Sequence, residues 1–352
     1  MEKRFDKALL LCPGKYSLTN SLYDILAELS GEVIVHDPGS DLSAGELKIN
    51  SQIYRFPYSI RKRWEEWFSR KANKALLELV SRTKPGVIMV YNSFFLLPET
   101  CAVMKEKSLL VFFMGDSPFY TPLNNYYLSC LSYADLIISP DSIWNEQLNT
   151  MGLRKTLHLY PGPDKRSYFR AESTDDQSGA GETDILYVGS CYLNSWGYKK
   201  AYLMSRFTHF NFKIYGNSAW KRWFNFFPEL KSVYKESGYI STEALNRMFN
   251  LTRLIPVDGN PGILAGAHIR MVEALAAGAL PLIEYRIDVE NILFKDIGHE
   301  IPLIRDYSKA DDIASYWLSD EKGRREMADS MFDYLSEKYS AAKNAARIEE
   351  VL

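Results

Sequence analysis

Short apolar runs alternate with longer segments whose apolar residues recur three and four positions apart. "KALLLC" at 7–12 reads as a buried strand, and the loop "PGKYSLTN" follows it. "SLYDILAEL" at 21–29 has helical spacing. The runs "EVIVH" (32–36), "GVIMVY" (86–91), "SLLVFFMG" (108–115), "DLIISP" (135–140) and "KTLHLYPG" (155–162) are further strands. Apolar runs separated by helical patterns predict a parallel sheet covered on both faces. The polar stretch "RAESTDDQSGAGETD" (170–184) breaks the alternation and reads as a linker or exposed loop. Strand patterns then resume at "ILYVGS" (185–190), "FKIYGN" (212–217), "RLIPVD" (253–258), "ALPLIEY" (279–285) and, more weakly, "HEIPLI" (299–304). From Ala310 to Leu352 the pattern is helical and charged. The expected division is a first domain over 1–170, a linker over 171–184, a second domain over 185–325 and closing helices over 326–352, which can pack back on the first domain. The predicted class is α/β: two Rossmann-like domains facing across a cleft, with a helical C-terminal tail.

Composition narrows the picture. A length of 352 residues suits two domains or one large one. A hydrophobic content of 46% and a charged content of 24% are ordinary for a globular chain. The formal net charge of −2 supplies no global field toward nucleic acid or anionic lipid, so any basic surface is local. Nucleic acid is therefore not an expected partner. Cys12, Cys101, Cys130 and Cys191 form no CxxC pair, which argues against a disulfide framework and a zinc site. Reduced thiols in a cytoplasm are the expectation. The N-terminal residues do not read as a signal peptide, and no window of 18 apolar residues exists.

Candidate chemistry lies just after the strands, where open parallel sheets bind ligands. "HIRMVEALAAG" (268–278) reads as a helix ending on Gly278, with Glu273 near its start. A carboxylate there can accept hydrogen bonds from two ribose hydroxyls, or can simply complement the helix dipole. Gly189 and Ser190 follow the first strand of the second domain, where a glycine lets phosphate approach the backbone. Lys199 and Lys200 can neutralise a diphosphate or mark a solvated helix start. In the first domain, Gly14 and Lys15 follow strand one and are the acceptor-side candidates. Asp116, in "MGDSP", is either a general base or the cap of a turn before Pro118. The chain has no Asp-x-Asp pair, so no metal or other cofactor is expected. Gly-x-Ser-x-Gly and Walker A sequences are also absent, so hydrolase and NTPase readings lose their main supports. Over 54–74, Trp64, Trp67 and Phe68 recur at helical spacing and mix with Arg61, Lys62, Arg63, Arg70 and Lys71. That segment is either a contact with an anionic membrane or a helix packed on its own sheet. "WKRWFNFF" (220–227) poses the same choice.

"RMVEALAAGALPLIEY" resembles the "EALA-G-P-I" signature of GT-B-fold glycosyltransferases, particularly the group related to spore maturation glycosyltransferases. "DILYVGS", "FKIYGN" and "GYISTEALNRMF" are similar to that family's nucleotide-domain strands and base-pocket stretch, in the expected order. "SPDSIWNEQLNTMGLRKTLHLYPGPDKRSYF" is similar to the run before its linker. The similarity covers about residues 135–305. It implies that Glu273 holds the donor ribose and that His268 to Val272 face the diphosphate; Arg270 is either a further charged contact or a surface Arg beside Glu273, and His268 either a phosphate or sugar contact or a polar residue at a helix start. Many retaining relatives carry a further Glu seven residues earlier, where this chain has Gly266. The implied activity is transfer of a sugar from a nucleotide donor to a hydroxyl of a glycan, a lipid-linked saccharide or another acceptor. The implied setting is cell-surface glycan synthesis in the cytoplasm or at the inner face of the membrane. A nucleotide-sugar epimerase and a non-catalytic nucleotide-binding protein are the alternatives.

Overall fold

The computed structural model describes residues 3–14, 17–92, 95–120, 126–153, 155–171 and 183–352. The chain opens with β1 (Phe5–Leu11), α1 (Ser17–Leu29), β2 (Ser30–His36), α2 (Ala44–Asn50), α3 (Tyr58–Thr83) and β3 (Val87–Tyr91). It continues with α4 (Pro98–Lys107), β4 (Leu109–Phe113), α5 (Tyr127–Leu131), β5 (Leu136–Ser139), α6 (Ser142–Thr150) and β6 (Thr156–His158). Next come β7 (Thr183–Val188), α7 (Ser195–Ser205), β8 (Phe212–Gly216), α8 (Leu230–Val233), β9 (Tyr234–Glu236), α9 (Thr242–Asn250) and β10 (Thr252–Val257). The last elements are α10 (Arg270–Ala276), β11 (Leu280–Glu284), β12 (Leu303–Ile304), α11 (Ala310–Ser319), α12 (Glu321–Lys338) and α13 (Ala341–Val351).

Two compact units result. One comprises Met1–Pro161 with Tyr339–Leu352, the other Gly162–Lys338. The first holds a six-stranded parallel sheet of order β2-β1-β3-β4-β5-β6. Leu9 of β1 pairs with Ile34 on one side and Ile88 on the other. Both faces of β1 are buried, which is why it reads as an unbroken apolar run. On one face Ala8 and Leu10 pack with Leu22, Ile25 and Leu26 of α1 and with Ala345 and Ile348 of α13. The buried Asn344 anchors α13 by donating to the carbonyls of Tyr160 and Tyr339, each at 3.2 Å.

The second unit holds another six-stranded parallel sheet, of order β12-β11-β10-β7-β8-β9. Strand β9, "YKE", is short and polar at a sheet edge, so its pattern carries no strand signal. Residues 162–170, expected in the first domain, pack in this unit. Tyr168 stacks on Phe249, and the Phe169 amide donates to Asn246 Oδ1 at 3.2 Å. Of the expected linker, residues 172–182 lie outside the described residues.

Strand order reverses between β1 and β3 in one sheet and between β7 and β10 in the other. The carboxyl ends at these reversals are where such sheets bind ligands. No helix among the described residues is long and apolar enough to cross a membrane.

Candidate functional site

In the second unit the carboxyl ends of β7, β10 and β11 deliver Tyr187, Asp258 and Glu284 to one place. Asp258 follows β10 and is buried. The Tyr187 hydroxyl donates to its Oδ1 at 2.8 Å, and the Lys200 ammonium lies 3.3 Å from its Oδ2. Lys200 also donates to the Tyr187 hydroxyl at 2.6 Å and to the Ser190 carbonyl at 3.0 Å. It is therefore not a solvated helix-start lysine. Its helix α7 is capped by Asn194, whose side chain accepts from the Trp196 amide. Lys200 is buried on the sheet side, and its charge is matched by Asp258. Burial and the Asp258 charge push the Tyr187 phenol well above its ordinary pKa, so it stays protonated and donating.

Glu284 ends β11 and is likewise buried. It accepts from the Gly259 amide at 2.9 Å, from Arg286 at 3.0 Å and from the Tyr307 hydroxyl at 2.6 Å. Lys199 pairs with it at 2.5 Å. Lys199 and Lys200, adjacent in sequence, thus answer two different buried carboxylates.

The predicted glutamate helix is shorter than its sequence pattern. Helix α10 runs Arg270–Ala276, and His268 stands outside it. His268 Nδ1 accepts from the Arg270 amide at 3.1 Å, so the neutral ring carries its proton on Nε2. Glu273 is buried on the first turn and pairs with Arg270 at 3.1 Å. Arg270 lies over the Phe249 ring, and Tyr168 stacks on the same residue. Burial, then the Glu273 charge beside it, keep the Tyr168 phenol protonated. Gly278 ends the helix with φ +86°, the left-handed backbone its sequence position predicts. A Cβ there would also sit 2.6 Å from Arg170 Nε.

His268 is held neutral. Burial, then the charge of Arg270, lower its pKa from 6.5 to about 4. A depressed histidine pKa means that the unfolded chain binds the proton first as pH falls. Stability of this unit is thus expected to be full above about pH 6.5 and to decline toward about pH 4. Thermal melts across that window check it. His268→Gln is expected to flatten the decline, and an unchanged slope would assign the acid sensitivity to other groups.

Gly189 and Ser190 border the same place, but Gly189 does not offer its amide. That N–H donates to the Tyr215 carbonyl at 3.0 Å, extending the sheet. What the glycine makes room for is its own neighbour, since a Cβ would sit 2.9 Å from the Tyr187 hydroxyl. Ser190 is exposed. The structure thus brings together His268, Arg270, Glu273, Lys200 and Ser190, with Lys199 joined through Glu284 and Gly259. Sequence reasoning missed Asp258, Glu284, Tyr187, Arg286 and Tyr307. The signal for the first two was an acid closing an apolar strand, in "RLIPVD" and "ALPLIE".

In the first unit Asp116 follows β4. The turn-cap role before Pro118 belongs to Ser117, whose hydroxyl accepts from the Phe119 amide at 3.2 Å. Asp116 instead accepts from Asn92 Nδ2 at 2.6 Å. Asn92 is buried and holds a left-handed backbone at φ +40°, a conformation that asparagine tolerates better than most residues. Its Oδ1 accepts from the amides of Gly115 and Asp116 and from the Tyr127 hydroxyl. Asp116 as a whole is exposed, yet its carboxyl, tied to Asn92, loses hydration, and that raises its pKa. Beside it, an apolar pocket of about 50 Å³ is lined by Leu11, Ala72, Leu76, Val90, Phe95 and Asn92, among others. Gly14 lies near the same strand end, with its amide 3.4 Å from Asp37 Oδ2. Lys15 lies outside the described residues.

A family model described as glycosyl transferase-like matches residues 200–350. No curated protein matches the chain. Among solved structures, HepE of Anabaena in complex with UDP-glucose has a TM-score of 0.61 at 12% identity, covering 98% of this chain and 100% of that one. Sucrose-phosphate synthase of Thermosynechococcus elongatus has a TM-score of 0.66 at 10% identity, covering 98% of each chain. A putative UDP-N-acetylglucosamine 2-epimerase of Listeria monocytogenes has a TM-score of 0.59 at 10% identity, covering 98% and 95%. The fold is the GT-B-like pairing of two Rossmann-like units that the sequence resemblance implied.

Proposed function

We propose that this chain is a glycosyltransferase that takes a sugar from a nucleotide donor held by its second unit and delivers it to a hydroxyl acceptor on its first. The observation that carries this reading is the gathering of Glu273, Arg270, His268 and Lys200 at the carboxyl ends of β7, β10 and β11. The glycosyl transferase-like match over the same half supports it. So does the fold shared with a protein solved in complex with UDP-glucose. In this reading Glu273 accepts hydrogen bonds from the ribose hydroxyls. The Arg270 pair holds it at the required angle. His268 offers Nε2–H, and Arg270 and Lys199 supply positive charge toward the diphosphate. Fixed cations and donors aimed at the departing diphosphate are the main catalytic term. No metal is required, because side chains provide that charge. The acceptor belongs to cell-surface glycan synthesis, and a peripheral place at the inner face of a membrane is part of the same reading.

Glu273→Gln is expected to weaken UDP binding by about 1.5–3 kcal/mol, the worth of a hydrogen bond to a charged group, with the melting temperature nearly unchanged. Calorimetry with UDP in excess chelator checks both parts. Undiminished affinity in the variant would take Glu273 out of the site. Binding that needs restored magnesium or manganese would overturn the metal-free design. The epimerase reading has support of its own in the shared fold of the Listeria protein. It predicts epimerised nucleotide sugar from the donor alone, whereas transfer predicts turnover that requires an acceptor.

A further inference from the structure

We infer that the first unit docks on an anionic lipid bilayer through residues 49–74, with the turn before α3 as the inserting element. This deepens the peripheral-membrane part of the reading above and stands apart from glycosyl transfer.

The helical face suggested by sequence is not the inserting one. Phe68 is buried, packed edge-on against Phe95 at 5.4 Å and grouped with Leu42 and Ala72. Trp64 packs on Phe68, and its indole N–H donates to Asn50 Oδ1 at 3.2 Å. Those two rings hold α2 and the Phe95 segment, so they belong to the core. The outward set is different. Ile49, Tyr54, Phe56, Tyr58, Ile60 and Trp67 are 46–62% exposed. Four of them crowd into seven residues ahead of α3 and in its first turn.

The charge around them is one-sided. Residues 49–74 carry seven Lys and Arg against two Glu, a balance of +5 in a chain of −2. Arg63, Trp67, Arg70 and Lys74 recur at i, i+4, i+7 and i+11, forming one exposed stripe along α3. The opposite stripe, Phe68, Ala72, Leu76 and Val80, is buried. Arg63 and Arg70 have no acidic partner among the described residues. Tyrosine and tryptophan favour the headgroup level, and basic residues beside them are drawn to anionic lipid. A protein partner of opposite charge would fit the basic stripe alone. The apolar turn beside that stripe favours a surface with acyl chains under its charge.

The test uses the full chain and sedimentation with vesicles. One set is phosphatidylcholine alone and the other contains about 30% phosphatidylglycerol. Binding is expected to the anionic set, falling as salt rises from about 0.1 to 0.5 M. Arg63→Gln with Arg70→Gln is expected to weaken it by roughly 25-fold, about fivefold per cation. Phe56→Ser with Ile60→Ser is expected to weaken it by tenfold or more through lost insertion. All four positions are surface-exposed, and thermal melts check that the variants fold. In the unaltered protein, brominated lipid is expected to quench tryptophan fluorescence. Equal affinity for both vesicle sets, no quenching, or unaltered binding by both variants would overturn the proposal. So would a concentration-dependent dimer that the same variants disperse, since the face would then meet a second copy. UDP affinity is independent of these outcomes, so failure here leaves the donor site standing.

Discussion

Asp116→Asn is expected to lower turnover by about 10²–10⁴-fold, the range for loss of a general base. The argument begins with Asn92. Its amide holds the loop after β4 through the backbone N–H groups of Gly115 and Asp116, and its Nδ2 orients one carboxylate oxygen. The other oxygen is the one proposed to meet an acceptor hydroxyl. Lost hydration of the carboxyl raises the Asp116 pKa, which makes the carboxylate a stronger base than an ordinary aspartate. A base must be deprotonated to act, so activity should rise with pH through a limb above the ordinary carboxylate range of about 4. Asparagine keeps the shape and loses the basicity. UDP affinity should stay the same, because the proposed donor site lies in the other unit. A variant with near-normal turnover would leave Asp116 without a catalytic role. One that loses UDP affinity would mean that the two substrates are not divided between the units.

Lys200→Met should have the largest effect on stability, about 3–5 kcal/mol, because it strands the Asp258 carboxylate in a buried setting. Both side chains are nearly excluded from solvent, and Tyr187 bridges them. Removing one charge leaves the other without compensation. Adding Asp258→Asn should then recover much of the loss, and a double-mutant cycle by denaturant unfolding measures that coupling. If Lys200→Met instead melts like the unaltered protein yet fails to bind UDP, the lysine is a donor contact rather than a framework charge.

The strands were legible because both sheet faces are covered, so β1, β3, β4, β7, β10 and β11 appear as unbroken apolar runs. Edge strand β9 was not, since "YKE" has no buried face to mark it. Gly278 was legible because a left-handed backbone past a helix end has few other occupants. Glu273 came from a resemblance, and its pairing with Arg270 follows from their three-residue spacing. Asp258 and Glu284 escaped notice for the opposite reason. Their partners, Lys200, Tyr187, Tyr307 and Lys199, come from separate elements, and no local pattern links them. The misplaced apolar face of α3 has a similar origin. Helical spacing puts Trp64, Trp67 and Phe68 together, but only tertiary packing decides that Phe68 turns inward while Trp67 turns out.

Helix α13 completes the first sheet's packing although its residues follow the whole of the second unit. On the ribosome this reverses the usual order of completion. Strand β1 and helix α1 emerge early, but Ala345 and Ile348, which cover them, come after Gly162–Lys338 has been made. At about 5–20 residues per second, that interval lasts roughly ten to forty seconds. During it α1 lacks the part of its cover that α13 supplies, while the contiguous second unit can close on itself. The first half of the nascent chain is therefore the half that needs a chaperone's shelter. A stop codon in the last few turns would uncover the oldest part of the protein and leave the second unit whole.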